Sequence, residues 1–257
     1  MLGTIQPYRR WEVNMKWIYL SPHFDDVAFS CGGLVWEQTQ SGNDVSILTI
    51  CAGEPSPGPI SRYAQSLHNR WETIRDPVPV RRVENQNSCQ ILGAKAINFS
   101  IPDAIYRRSA INHAYLYTSD GDLFSDFPAE EFHLIEDLKN ELDHALPQSC
   151  EFVCPLALGG HVDHQLARSA AEALDRPIWY YADFPYLLDL NGTPVVIEEN
   201  KTYKYFPISE RGLQAWKNSI AAHASQISTF WTGEDQMRAV IQAYWEPLQG
   251  IAMWHSP

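Results

Sequence analysis

The sequence predicts an α/β protein, a Rossmann-like three-layer sandwich built on a mainly parallel sheet. Two observations carry that expectation. From about Lys16 onward, short apolar runs of strand length alternate with stretches of helical periodicity, and strands separated by helices pair in parallel through right-handed crossovers. The chemically loaded residues then fall in three loops at the carboxyl ends of those strands, Pro22–Asp26, Pro102–Arg108 and Gly159–His164. Open α/β sheets bind their ligands there.

In chain order, Lys16–Ser21 (KWIYLS) reads as a buried strand and Asp26–Ser41 as a helix stopped by Gly42. Asp44–Cys51 (DVSILTIC) is the second strand, with a Pro/Gly-rich loop, Gly53–Pro59, at its carboxyl end. Arg81–Leu92 carries apolar residues at helical spacing and stops at Gly93; Lys95–Ser100 is the third strand. A long loop from about Ser109 to Phe127 reads as a substrate lid. Pro128 opens a helix to about Ala145, Glu151–Leu156 is the fourth strand, Asp163–Leu174 is helical, and Pro177–Ala182 is the fifth strand. Val195–Phe206 breaks the alternation as a β-hairpin, followed by helices over Gln214–Gln226 and Asp235–Trp245. No composition break divides residues 1–257, so one domain is expected, with residues 1–14 as an extension outside its core.

Composition narrows the partners. The chain has 31 acidic and 19 basic residues, a formal net charge of −12. That balance argues against nucleic acid, whose phosphates call for a basic surface, and against an anionic membrane. A neutral or cationic small molecule, or one held by a few local arginines, fits, and assembly into a homo-oligomer stays open. The five cysteines, Cys31, Cys51, Cys89, Cys150 and Cys154, are odd in number and show no framework spacing, which suits reduced core residues. No apolar run approaches the ~20 residues that span a bilayer. The basic N-terminus has no apolar segment behind it, so a cytoplasmic protein without membrane insertion is expected.

The chemistry concentrates in SPHFDD (Ser21–Asp26), where the first strand turns into a helix, and GGHVDH (Gly159–His164), where the fourth does. Together they bring three histidines and three aspartates onto two turns that the fold places side by side. Zinc takes imidazole nitrogen and carboxylate oxygen, and a catalytic zinc keeps one position open for water. Two ligands from one turn and one from the other make such a site. Each residue also has a bland reading: Asp25, Asp26 or Asp163 can simply cap the following helix, and a loop histidine is most often a satisfied polar group.

These paired signatures resemble those of the PIG-L/LmbE family of zinc-dependent N-acetylglucosaminyl deacetylases. The likeness continues in RRVENQNSCQILGA (Arg81–Ala94), IPDA (Ile101–Ala104) and KNSIAAHASQ (Lys217–Gln226). The resemblance implies that His23, Asp26 and His164 ligate one Zn²⁺ and that Asp25 is the general base. It assigns His161 to the oxyanion or the leaving amine and Asp163 to the carboxylate that tunes it and keeps it charged. It also places Arg81 and Asp103 at the sugar hydroxyls, with Arg82 as rival to Arg81. The activity implied is deacetylation of an N-acetylated amino sugar of the N-acetylglucosamine type. Other divalent metals suit a His₂Asp set as well.

Three positions depart from the family pattern. Phe24 and Val162 stand where proline is frequent, and Gly159 stands where some members carry a tyrosine that donates to the oxyanion. Trp71 is a candidate for stacking on a sugar face, and His223 is either a pocket residue or a structural one. Two alternatives remain beside deacetylation: a zinc amidase for another N-acyl or thiol-conjugated amino sugar, and an inactive metal-dependent sugar-binding module. A nucleotide-binding Rossmann protein lacks its G-x-G-x-x-G and a serine hydrolase its G-x-S-x-G.

Overall fold

The first strand, β1 (Lys16–Ser21), is buried on both faces from its second residue onward, as expected of a central parallel strand covered by helices on either side. The computed structural model describes residues 13–73, 77–188 and 202–256. In it β1 is followed by α1 (Asp26–Gln40), β2 (Asp44–Thr49), α2 (Arg62–Arg70), α3 (Pro77–Leu92) and β3 (Lys95–Asn98). The long loop carries one short helix, α4 (Asp120–Leu123), before α5 (Phe132–Ala145), β4 (Glu151–Pro155), α6 (Val162–Glu172) and β5 (Ile178–Tyr181). The chain ends with β6 (Thr202–Pro207), α7 (Glu210–Ala221), α8 (Ala224–Phe230), α9 (Glu234–Trp245) and β7 (Gly250–Ser256).

The strands form one seven-stranded sheet in the order β3-β2-β1-β4-β5-β7-β6. Strands β1 to β5 run parallel, with Ser21 opposite Thr49 and Tyr19 opposite Val153. Strand β7 lies antiparallel to both β5 and β6. After β1 the chain moves outward to β2 and β3, then returns to the other side of β1 as β4. The carboxyl ends of β1 and β4 therefore diverge at a topological switch point, and both motifs sit on that crevice.

Alternate residues of β1 feed two cores. Trp17 and Tyr19 pack with α1, α3, α7 and α9 residues on one face, and Ile18 and Leu20 with α5 and α6 residues on the other. A third cluster, including Phe24, Trp71, Ile105 and Val162, covers the carboxyl ends under the loops. Gly32 lets α7 approach α1, since a Cβ there would lie 2.9 Å from Ser219 Oγ and Trp216 Cδ1. All five cysteines are free thiols.

The parallel strands and their helices stand where the sequence places them, with small shifts in their ends. Helix α3 begins at Pro77, a residue pre-organised for the first helical position, so Arg81 lies inside the helix and not at a solvated start. The helix expected from Pro128 begins as a short 3-10 turn, Ala129–Glu131, before α5. The first arm of the Val195–Phe206 hairpin lies outside the described residues. Its end, β6, pairs with β7, a strand the sequence pattern did not reveal. Helix α2 was also missed. Its apolar positions are few, Ala64 and Leu67 with His68 being its buried residues, which leaves little periodic signal.

Candidate active site

Beyond the carboxyl ends of β1 and β4 lies a cavity of about 250 Å³, whose lining includes His23, Asp25, Asp26, Arg81, Asp103 and His161. Asp163 and His164 are buried behind it, 0% and 2% exposed. The fold thus gathers at or just behind this cavity the eight residues to which the sequence gave metal, catalytic or sugar-binding roles.

The turn after β1 is held by its own side chains. Ser21 Oγ accepts from the Val27 amide at 3.2 Å, and Asp26 Oδ2 accepts from the His23 amide at 2.6 Å. The Asp26 carboxylate then faces two imidazoles, with Oδ2 3.3 Å from His23 Nδ1 and Oδ1 3.3 Å from His164 Nε2. One ligand atom from each of the three residues lies within 4.8 Å of the others.

The far nitrogen of each ring is fixed by another carboxylate. His23 Nε2 donates to Asp163 Oδ2 at 2.9 Å and His164 Nδ1 to Asp183 Oδ1 at 2.6 Å. A carboxylate behind a ligating imidazole sets its tautomer and orientation, so the arrangement suits a metal with Nδ1 of His23 and Nε2 of His164 turned toward it. Asp183 escaped the sequence reading. Its available signal was position, directly beyond β5 at the same sheet edge as both motifs, where its second oxygen accepts from the Leu158 amide at 2.9 Å.

Asp163 corrects one expectation. Its carboxylate does not bond His161; it accepts from His23 and from the Ala104 amide at 3.0 Å, and pairs with Arg107 Nη1 at 2.7 Å. Buried Arg107, also missed from sequence, lies with Nε 2.8 Å from Glu131 as well. Burial alone would raise the Asp163 pKa, but the Arg107 and His23 charges hold it well below the usual carboxylate range. His161 accepts the Asp163 backbone N–H on Nδ1 at 3.1 Å, and the Asp163 carboxylate acts on its ring through space without a direct bond. Burial, with the neighbouring His23 charge, pushes the His161 pKa well below its ordinary value. In metal-free protein the expected charge on His161 is thus disfavoured, and the bond from the Asp163 amide leaves Nε2 as the donor position of the ring. His164 goes the other way: burial opposes charge, but Asp26 and Asp183 outweigh it and raise its pKa to about 10. A second triplet, His23, His161 and Asp163, also falls within 4.8 Å, but the Asp163 oxygens in it are already engaged by His23, Arg107 and the Ala104 amide.

Asp25 occupies the N-cap position of α1 but makes no capping bond, so the bland reading of it fails. Its Oδ1 instead takes Arg81 Nη2 at 3.1 Å, while Arg81 Nη1 lies 3.4 Å from Asp103 Oδ2. The guanidinium is clasped between the rings of Phe24 and Trp71, 5.6 Å and 5.0 Å from their centroids. Arg82 turns away to the Ala52 carbonyl at 2.9 Å. His223 is fully buried, and neither ring nitrogen has a hydrogen-bond partner among the described residues. Gly159 adopts φ +81°, and a Cβ there would lie 2.9 Å from the Tyr186 ring: the space over this position is filled from the loop after β5.

The family model for GlcNAc-PI de-N-acetylase, PIG-L, matches residues 18–174. The chain belongs to the PIG-L/LmbE family of deacetylases. The match takes in both motifs and the sheet edge that carries the cavity. Among curated members, the chain is similar to 2'-N-acetylparomamine deacetylase of Niallia circulans, at 34% identity over 188 residues, 66% of this chain and 66% of that protein. The protein of the same name from Streptomyces fradiae is 27% identical over 66% of this chain and 57% of its own length. Among solved structures, the zinc-inhibited form of teicoplanin deacetylase Orf2 superposes with a TM-score of 0.79 over 94% of this chain and 97% of that one, at 20% identity, a likeness of fold. No helix among the described residues is long and apolar enough to cross a membrane.

Proposed function

We propose that this PIG-L/LmbE deacetylase hydrolyses the acetamide of an N-acetylated amino-sugar conjugate to acetate and a free amine, with His23, Asp26 and His164 holding one zinc ion. The observation that carries it is a shared aspartate facing two imidazoles, each locked from behind by its own carboxylate, beside a second aspartate left for chemistry. Similarity to the 2'-N-acetylparomamine deacetylases supports a substrate of that kind, and a net charge of −12 suits a molecule that carries amines.

When bound, zinc polarises the amide carbonyl as a Lewis acid and lowers the pKa of water to about 7. The protein's own residues do the rest. Arg81 pins one oxygen of Asp25, and the other accepts the proton of the attacking water and passes it to the departing nitrogen. An amide anion is a very poor leaving group, so that transfer is indispensable. His161, neutral and fixed through Nδ1, presents its Nε2–H to the negative charge that develops on the acyl oxygen. Asp163, held ionised by Arg107, orients His23 rather than the reaction. Asp103 and Arg81 hold the sugar from the polar side of the cavity. Residues 1–257 acting as one cytoplasmic domain complete the proposal; the free, mostly buried thiols are in keeping with it.

The experiment is metal analysis of the purified protein together with amine release from a panel of N-acetylated glucosamine and aminoglycoside conjugates. Stoichiometric zinc and acetate release are expected. Zinc-loaded protein that binds these sugars and releases no acetate would instead favour a binding module.

A further inference from the structure

We infer that the aromatic wall of the cavity sets the length of the acyl group, admitting N-acetyl and turning longer N-acyl chains away, an inference that rests on the deacetylation proposed above. The cavity lining includes a charged and polar group, Arg70, Arg81 stacked on Trp71, Asp103 and the hydrogen-bonded pair Tyr63–Asp120, and an aromatic cluster, Phe29, Phe184, Tyr186 and Phe230. An amide that presents its carbonyl to His23, Asp26 and His164 carries a polyhydroxy substituent on nitrogen and an apolar one on carbon. Burying the sugar hydroxyls against phenyl rings would leave them unpaired, so the sugar takes the polar side and the acyl group the aromatic one.

That wall begins beside the reacting position. Phe29 follows Asp26 by one turn of α1, and the Tyr186 ring stands 6.0 Å from that of His164. Tyr186 and Phe230 meet edge to face at 6.0 Å, as do Phe230 and Phe29 at 6.0 Å. Trp231 backs the wall, 5.4 Å from Phe29, 5.7 Å from Phe230 and 6.4 Å from Phe184. Phe29, Phe184 and Trp231 belong to the main core on that face of the sheet. Phe29 and Phe184 thus form the outer layer of a close-packed interior, which does not yield to an extra methylene, and Tyr186 is set against Phe230 from the loop after β5. Gly159 completes it, because only a residue without Cβ leaves Tyr186 its place. Size selection at a closed apolar wall is steep, roughly 10-fold to 200-fold for a methylene.

The test compares N-acetyl-, N-butyryl- and N-hexanoylglucosamine with wild type, Tyr186→Ala, Phe230→Ala and the milder Phe230→Leu, each checked for zinc content and Tm. Wild type is expected to favour acetyl over hexanoyl by at least about 10² in kcat/KM, and truncation of either ring to raise hexanoyl relative to acetyl by about 10-fold or more. In parallel, acetate, butyrate and hexanoate are titrated into the zinc-loaded protein and followed by saturation-transfer NMR. Wild type should take acetate and refuse hexanoate, and Tyr186→Ala should take both. Equal use of hexanoyl and acetyl by wild type, or an unchanged ratio in folded, zinc-replete variants, overturns the inference. Should wild type select carboxylates by length yet release none from any conjugate, the aromatic wall stands and the proposed reaction falls.

Discussion

The turns after β1 and β4 use the same residue types to opposite ends. In the first, His23 and Asp26 face one another, and Asp26 is satisfied by the backbone of its own turn. In the second, two histidines three residues apart part company. His164 is held between Asp26 and Asp183, whereas the His161 ring bonds no carboxylate among the described residues and accepts a backbone N–H on Nδ1. The lesson is that spacing brings a histidine to the crevice, but tertiary approach decides which carboxylate stands behind its ring.

Variants at the two histidines give the largest effects and the hardest test of that contrast. His164→Ala should abolish tight zinc binding and activity together. His161→Ala should keep its zinc while kcat falls by roughly 10²–10³, the usual loss for one donor to a developing oxyanion. Zinc loss in His161→Ala with retention in His164→Ala reverses the assignment.

Weakening the carboxylate alone sharpens the comparison. Asp183→Asn keeps the shape but removes the charge behind His164, and should lower zinc affinity by roughly 10-fold to 100-fold with kcat of the loaded enzyme little changed. Competition with a chelating dye measures it; unaltered zinc affinity would show that ring orientation alone suffices.

An effect of similar size, on substrate and not on metal, is expected on the polar side of the cavity. Asp103→Ala should keep full zinc and lose about 10-fold to 100-fold in kcat/KM, as for about 1.5–3 kcal/mol of charged hydrogen bonding. Zinc loss in that variant would place Asp103 with the ligands.

A pH titration of stability reads the contrast without substitution. In metal-free protein the His164 pKa is raised from 6.5 to about 10, so His164 adds stability that is fully present below pH 6.5 and lost as pH rises through 10. The Tm of metal-free protein should fall over that interval. Zinc-loaded protein, in which the proposed ligation makes His164 a neutral ligand, should lack this component, and parallel Tm curves for the two forms would contradict the electrostatic account.

The sequence by itself determined the five parallel strands, the two motif turns and the eight residues at the cavity. The strands, turns and motif residues are written in local pattern: apolar runs of strand length, helical periodicity, and acid–imidazole clusters at strand ends; Arg81 and Asp103 came through the likeness to the family. Tertiary structure decided what the pattern leaves open. Asp183 and Arg107 are single charged residues without motif neighbours, and only the crevice brings them to His164 and Asp163. Strand β7 (GIAMWHS) became a strand because β5 and β6 flank it and take up its hydrogen bonds on both sides. The partner of each carboxylate is likewise a matter of approach. Asp163 lies two residues from His161 in the chain, yet α6 carries its side chain toward β1, where His23 and Arg107 stabilise the charge. Distance along the chain fixes neighbours within a turn, whereas the pairing of buried charges is fixed by which elements the sheet sets side by side.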